Sequence, residues 1–257
     1  MQSSRCQRRK NRFLNHFWYI TMSPLYSSLR DLGPYFIGEG EEVVKALFKS
    51  NLKVISLLME EKYLSRLSIP ADIPVQIASK EELHKITGYK MHQGIMALGE
   101  KPPNAQLSEM EGAALVLNGV VDPDNVGAIV RNAVAFGIRN LIVDTYASPP
   151  YLRRTIKVSR GTLFQMKVHI TKDLPHLLKD KPCVASSLRN HAIPLKQALF
   201  PKNPYFIFGR ESTGIDQEIL DMASLHVKIP IDPIVDSLNV AVASGIILFH
   251  SKEFLHD

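Results

Sequence analysis

Short apolar runs alternate with helical patterns along this chain, and a turn-rich break at Lys101-Pro102-Pro103-Asn104 separates two such regions. Upstream of the break, residues 35–37 read as a strand. A helix over 40–49 follows, with Val43, Val44, Leu47 and Phe48 on one face. Residues 52–59 read as a buried strand, 60–67 as a helix, 75–78 as a strand and 94–98 as another. Ser79 suits an N-cap, and Glu82 three residues on completes a capping box. Downstream, strands are expected at 113–117, 141–143, 166–170, 183–186, 205–208 and 225–229, and helices at 126–136, 215–222 and 240–249. Strands alternating with helices imply a mostly parallel sheet covered on both faces. The expected fold class is α/β: a small N-terminal α/β domain at 26–104 and a larger, mostly parallel-sheet domain at 105–257, preceded by an extension at 1–25.

Composition narrows the class. The chain has 257 residues, 45% apolar and 22% charged, which is an ordinary globular composition with ample material for a core. Its net charge is +6, a general hint of a polyanionic partner. The distribution weakens that hint. Residues 1–25 carry five basic residues (Arg5, Arg8, Arg9, Lys10 and Arg12) and no acid, 26–104 are balanced, and 105–257 carry a surplus of one. The two cysteines, Cys6 and Cys183, form no C-x-x-C pair and no zinc-like spacing with histidine, so both are expected as free thiols and no metal site is expected. No apolar run approaches the ~20 residues that span a bilayer. Segment 240–249 is about half that length and reads as a buried helix. Segment 13–22 imitates a signal peptide, but Asn15 and His16 interrupt it. A dispensable extension in a cytoplasmic protein is expected, with Met22 an alternative start.

In sheets of this kind ligands bind beyond the carboxyl ends of the strands. Three clusters stand there. The first is Asp122-Pro123-Asp124-Asn125-Val126-Gly127, running on to Arg131; Pro123 and Asp124 set a turn and Asn125 is placed to cap the helix. The second is Gly209-Arg210-Glu211-Ser212-Thr213-Gly214, whose glycines allow close backbone approach. The third runs from Ile229-Pro230-Ile231 to Ser237-Leu238-Asn239-Val240. Each alone has a plain structural reading as caps, turns and solvated charge; their conjunction in one domain points to a site.

That conjunction resembles the SpoU branch of the SPOUT RNA methyltransferases. The matching residues are N-x-G-x-x-x-R (Asn125, Gly127, Arg131) continuing to Phe136-Gly137, then G-x-E-x-x-G (Gly209, Glu211, Gly214), then I-P (Ile229, Pro230) and S-L-N-V (Ser237 to Val240). The resemblance covers 112–250 and keeps motif order and spacing. Upstream, Phe36-Ile37-Gly38-Glu39-Gly40 and His92-Gln93-Gly94-Ile95 are similar to the ribosomal-protein-type substrate-binding domain of many SpoU enzymes. Four positions depart from the family pattern: Arg210 for a common Asn, Ile231 for Met, Pro233 for Gly and Ala241 for Ser.

The resemblance implies an S-adenosylmethionine-dependent methyltransferase acting on a ribose 2′-hydroxyl. It implies ribosomal RNA over transfer RNA, guanosine favoured, with a C-terminal trefoil knot and a homodimer. It implies cofactor contacts, largely through backbone, at Leu188, Gly209, Gly214, Ile229 and Leu238. Arg131 matches the family's catalytic arginine, with Asn125, Glu211, Ser237 and Asn239 orienting it or the ribose. Arginine side chains stay protonated near neutrality, so an electrostatic role on a phosphate and a developing alkoxide is the plainer expectation. Between Asp144 and Asp173 there is no acid but six basic residues. Arg153, Arg154, Lys157 and Arg160 are therefore the expected RNA contacts. A non-catalytic RNA-binding or ribosome-assembly factor on the same scaffold is the alternative from another class. No G-x-G-x-x-G or P-loop supports a nucleotide enzyme.

Overall fold

The computed structural model describes residues 31–87, 93–189 and 191–252. The basic extension at 1–25, Cys6 and His92 lie outside them. The chain forms two compact units, the first through Lys101 and the second from Pro102.

The first unit is a four-stranded sheet in the order β1 (Tyr35–Glu39), β4 (Ile95–Glu100), β2 (Val54–Met59), β3 (Val75–Ile77). β4 lies antiparallel to both β1 and β2, and β2 and β3 are parallel. Two helices, α1 (Glu41–Phe48) and α2 (Lys80–Thr87), accompany it. Ile37, Leu58, Ala78, Leu83, Met96 and Leu98 form its core. The capping box is present: the Glu82 carboxylate accepts from the Ser79 N–H at 2.7 Å, and Ser79 Oγ accepts from the Glu82 N–H at 3.2 Å. The two family-like segments of this unit meet, because Gln93 Oε1 accepts from the first α1 amide, Glu41 N–H, at 2.9 Å. The helix expected over 60–67 is only a single 3-10 turn, Glu61–Tyr63. Tyr63 and Leu67 are buried but Leu64 is 49% exposed, and Ser65, Ser68 and Pro70 give the pattern no second turn.

The second unit is a seven-stranded sheet in the order β7 (Lys167–Thr171), β6 (Asn140–Asp144), β5 (Ala114–Leu117), β10 (Tyr205–Phe208), β8 (Cys183–Ser186), β11 (Leu225–Lys228), β9 (Ile193–Pro194). Every pairing in it is parallel, so all carboxyl ends share one edge. β10 is buried throughout and sits centrally, as a parallel sheet with both faces covered requires. On one face Ala114, Val116, Ile142, Cys183, Ala185 and Ile207 pack with α5 (Leu174–Leu178) and α6 (Gln217–Met222). The alternate residues Leu115, Leu117, Phe206 and Phe208 are equally buried on the other face. Burial pushes the free Cys183 thiol up to about 11, which leaves it an unreactive core side chain. α6 begins two residues later than the pattern suggests, because Asp216 stays extended as its N-cap and donates its N–H to Asn118 Oδ1 at 2.7 Å. β9 and α5 are too short for the apolar period to mark them.

Three helices frame the motif-bearing side: α3 (Pro123–Ala135), α4 (Arg153–Val158) and α7 (Val240–Ser251). The cap of α3 is Asp122, not Asn125. Pro123 presets the first helical φ, and the Asp122 carboxylate accepts from the Asp124 N–H at 3.0 Å. The helix therefore starts early and carries Asn125 inside its first turn, with its amide free to bond elsewhere. Gly127 is a packing residue: a Cβ there would lie 2.7 Å from the Thr155 carbonyl oxygen of α4.

Candidate active site

The loops after β8, β10 and β11 enclose one cavity of about 890 Å³ at the carboxyl edge of the sheet. Leu188, Gly209, Gly214, Ile229 and Leu238 all line it, as do Glu211, Ser237 and Asn239. The 209–214 loop is a tight hairpin: Arg210 and Gly214 exchange two backbone hydrogen bonds of 2.9 Å. Gly209 lies flat against its far side, where a Cβ would come 2.3 Å from the Gly214 carbonyl carbon and from Ile215 N. Only glycine fits there.

A hydrogen-bonded cluster borders the cavity. Asn125 Nδ2 donates to Glu211 Oε1 at 2.7 Å. Asn239 Nδ2 donates to the same oxygen at 2.9 Å and to Asn125 Oδ1 at 3.0 Å. Asn239 Oδ1 meanwhile caps α7, accepting from the Ala241 N–H at 2.9 Å. One residue from each of the three motifs thus closes a triangle, and the third corner also starts the last helix. Asn132 Nδ2 fastens α3 to α7 further along, on the Ala241 carbonyl at 2.9 Å and Ser244 Oγ at 3.0 Å.

Arg131 and Ser237 are not part of that triangle. Arg131 is exposed on α3, one position before Asn132 and so beside the α3–α7 seam, and no described residue bonds its guanidinium. Ser237 is exposed on the cavity wall. Among the expected RNA contacts, Arg154 is committed to Asp124: its Nε donates to Oδ1 at 2.5 Å and its Nη2 pairs with Oδ2. Asp124 therefore answers one of the charges that the acid-free interval 145–172 suggests. Lys167, in the same interval, donates to the Glu109 carbonyl. Arg160 is exposed, and Arg153 is half-buried. Outside the three motifs, Asn118 directly after β5 and Asp144 at the end of β6 are buried polar residues at the same sheet edge; their strand-end position is the signal that marks them.

The family model described as "SpoU rRNA Methylase family" matches residues 112–249, and one described as "RNA 2'-O ribose methyltransferase substrate binding" matches 39–105. The chain belongs to the SpoU rRNA methylase family. As a SpoU enzyme it is an RNA 2′-O-ribose methyltransferase with S-adenosylmethionine as methyl donor. It is 31% identical over 199 residues to the 23S rRNA (guanosine-2'-O-)-methyltransferase RlmB of Acinetobacter baylyi, covering 72% of this chain and 80% of that protein. It is 24% identical over 222 residues to the 23S rRNA (guanosine(2553)-2'-O)-methyltransferase RlmP of Bacillus subtilis, covering 84% and 88%. Among solved structures, a putative RNA methyltransferase of the TrmH family from Porphyromonas gingivalis superposes with a TM-score of 0.76 at 26% identity, covering 88% of this chain and 94% of that one.

The cavity fits the SpoU cofactor. Its lining is mostly small or apolar residues, with a few charged ones among them, and the Gly209 contact fixes the 209–214 loop tightly along its wall. No helix among the described residues is long and apolar enough to cross a membrane.

Proposed function

We propose that this SpoU enzyme methylates a guanosine 2′-hydroxyl of ribosomal RNA in the cytoplasm, the 105–257 domain performing the transfer and the 26–104 domain gripping the RNA. The observation that carries this reading is the Asn125–Glu211–Asn239 triangle on the border of the cavity, which joins the three motifs. The match of 39–105 to a substrate-binding model and the names of both bacterial relatives support the choice of RNA and of base. Leu188, Gly209, Gly214, Ile229 and Leu238 hold the cofactor, which when bound supplies an electrophilic sulfonium methyl. Glu211 fixes the two asparagine amides and with them the entry to the cavity. Ser237 offers a hydroxyl to the ribose. Arg131, still fully available for a ligand, binds the neighbouring phosphate and offsets the charge that develops as the 2′-oxygen loses its proton. Arg153, Arg154, Lys157 and Arg160 extend the phosphate contact, Arg154 from its place against Asp124. Mapping of 2′-O-methyl groups in total RNA, with and without the gene, is expected to show one ribosomal guanosine losing its mark. A loss confined to transfer RNA, or no loss, refutes the substrate.

The same reading includes a C-terminal trefoil knot, supported by the adjacency of β8, β10 and β11, which brings all three connecting loops to one place. It also includes a homodimer. α7 is apolar on nearly all sides, and Val242, Ile246 and Phe249 stay 52%, 38% and 68% exposed at helical i, i+4, i+7 spacing. Such a stripe is normally covered. Phe249→Glu is expected to convert a dimer to a monomer in sedimentation velocity. A wild-type protein that sediments as a monomer at micromolar concentration refutes the dimer.

A further inference from the structure

Tyr146 follows β6 and is 71% exposed, yet its backbone is pinned. The Asp144 carboxylate, itself 4% exposed, accepts from the Tyr146 N–H at 3.1 Å and the Ala147 N–H at 2.7 Å. Its second oxygen accepts from Asn118 Nδ2 at 2.8 Å. The same amide nitrogen donates to Asp216 Oδ2 at 2.8 Å, and Asn118 Oδ1 accepts from the Asp216 N–H at 2.7 Å. Asp216 Oδ1 in turn holds Arg210 Nη1 at 2.5 Å. The guanidinium packs against Gly119 (φ +67°), where a Cβ would come 2.4 Å from Nε, and its carbon lies over the Tyr146 ring, 6.0 Å from the centroid. A buried amide and a buried carboxylate, here Asn118 and Asp144, are costly to assemble and add little stability over apolar packing. What it accomplishes is geometric: it ties the ends of β5 and β6 to the start of α6, and it holds the Arg210 guanidinium over the Tyr146 ring. Arg210 also lines the cofactor cavity.

We propose that Tyr146 and Arg210 form a stacking face for an unpaired base of the RNA substrate beside the cofactor cavity. Aromatic rings and arginine planes are the surfaces on which single-stranded bases stack, and the guanidinium adds attraction for the backbone. Arg210 stands where the SpoU pattern commonly has asparagine, so the paired face is a feature of this chain's own residues. The inference rests on the RNA methyltransferase reading and specifies how that enzyme holds its substrate. Gly119 is part of the device, since any side chain there would push the guanidinium off its seat.

The test uses the full-length protein and a decamer of adenosine ribonucleotides carrying one 2-aminopurine, whose fluorescence is quenched on stacking. Wild type is expected to quench the probe. Tyr146→Ala is expected to weaken binding at least about fivefold and to abolish quenching, while Tyr146→Phe retains both. Arg210→Lys, which keeps the charge and loses the plane, is expected to reduce quenching more than affinity. The stabilisation of the Tyr146 variants by S-adenosylmethionine in a thermal shift serves as their control for folding, and the melting temperature without cofactor serves for Arg210→Lys, because Arg210 lines the cavity. Tyr146→Ala with wild-type affinity and quenching, and an intact thermal shift, overturns the stacking face and leaves the methyltransferase reading standing. Quenching that depends on Tyr146 in a protein that methylates no ribosomal RNA supports the stacking face and overturns the reading of the substrate.

Discussion

Replacing Arg131 by alanine will leave fold and cofactor binding intact and lower methyl transfer at least about 100-fold, the effect of removing one well-placed donor to a developing oxyanion. The structure makes this separation sharp. Arg131 is exposed and no described residue bonds it, so truncation breaks no hydrogen bond or ion pair among the described residues and its cost in stability should stay within about 0.5 kcal/mol. It is not a cavity residue, so the S-adenosylmethionine thermal shift should match wild type. Arg131→Lys should recover part of the activity, since an ammonium keeps the charge but cannot present a two-pronged donor to a phosphate. Single-turnover transfer from labelled cofactor, with the thermal shift in parallel, checks all three statements. Wild-type-like turnover in Arg131→Ala would remove Arg131 from the reaction.

Gly209→Ala should abolish cofactor binding and destabilise the domain by about 1–3 kcal/mol. The new methyl would meet main-chain atoms at 2.3–2.4 Å, and those atoms belong to a hairpin closed by two 2.9 Å hydrogen bonds. Backbone cannot swing aside as a flexible side chain can, so the loop must move and the cavity wall moves with it. Gly214→Ala provides the contrast. Its φ is +74°, which costs an alanine about 1–2 kcal/mol, but its Cβ would meet nothing within 4 Å. It should therefore lose stability and keep measurable affinity. Titration calorimetry with S-adenosylmethionine on both variants distinguishes a wall displaced from a wall strained. Equal affinities in the two would refute the role of Gly209 in holding the cavity wall.

Several features were legible because they are local. The alternation of apolar runs and helical faces specifies the α/β class, since period 2 and period 3.6 patterns are properties of a segment by itself. The Ser79–Glu82 box needs only three residues of spacing. The three motifs are legible because strand ends, turns and glycines are punctuation in the chain, and eight of the ten residues that the resemblance proposes for catalysis and cofactor contact line one cavity. The segment 60–67 reads as helical only because Tyr63, Leu64 and Leu67 fall at a helical interval, and one turn of such an interval is too short to be distinctive.

Partnership is what the sequence by itself left open, and for a physical reason: a polar side chain's role is set by what faces it, often from a distant part of the chain. Asn125 looks like a cap until Asp122 takes that place and Glu211, 86 residues on, claims its amide. Arg154 looks like free positive charge until the start of α3 brings Asp124 to it, 30 residues away. Asn118, Asp144 and Asp216 carry no motif, yet the parallel sheet sets the ends of β5 and β6 side by side, and the buried Asn118 amide joins the buried Asp144 to the exposed Asp216 at the start of α6. Sequence alone determined the class of fold, the order of the motifs and the residue types that the chemistry needs. Only the tertiary structure decided which of those residues are committed to one another, because parallel strands align at one edge groups that the chain holds far apart.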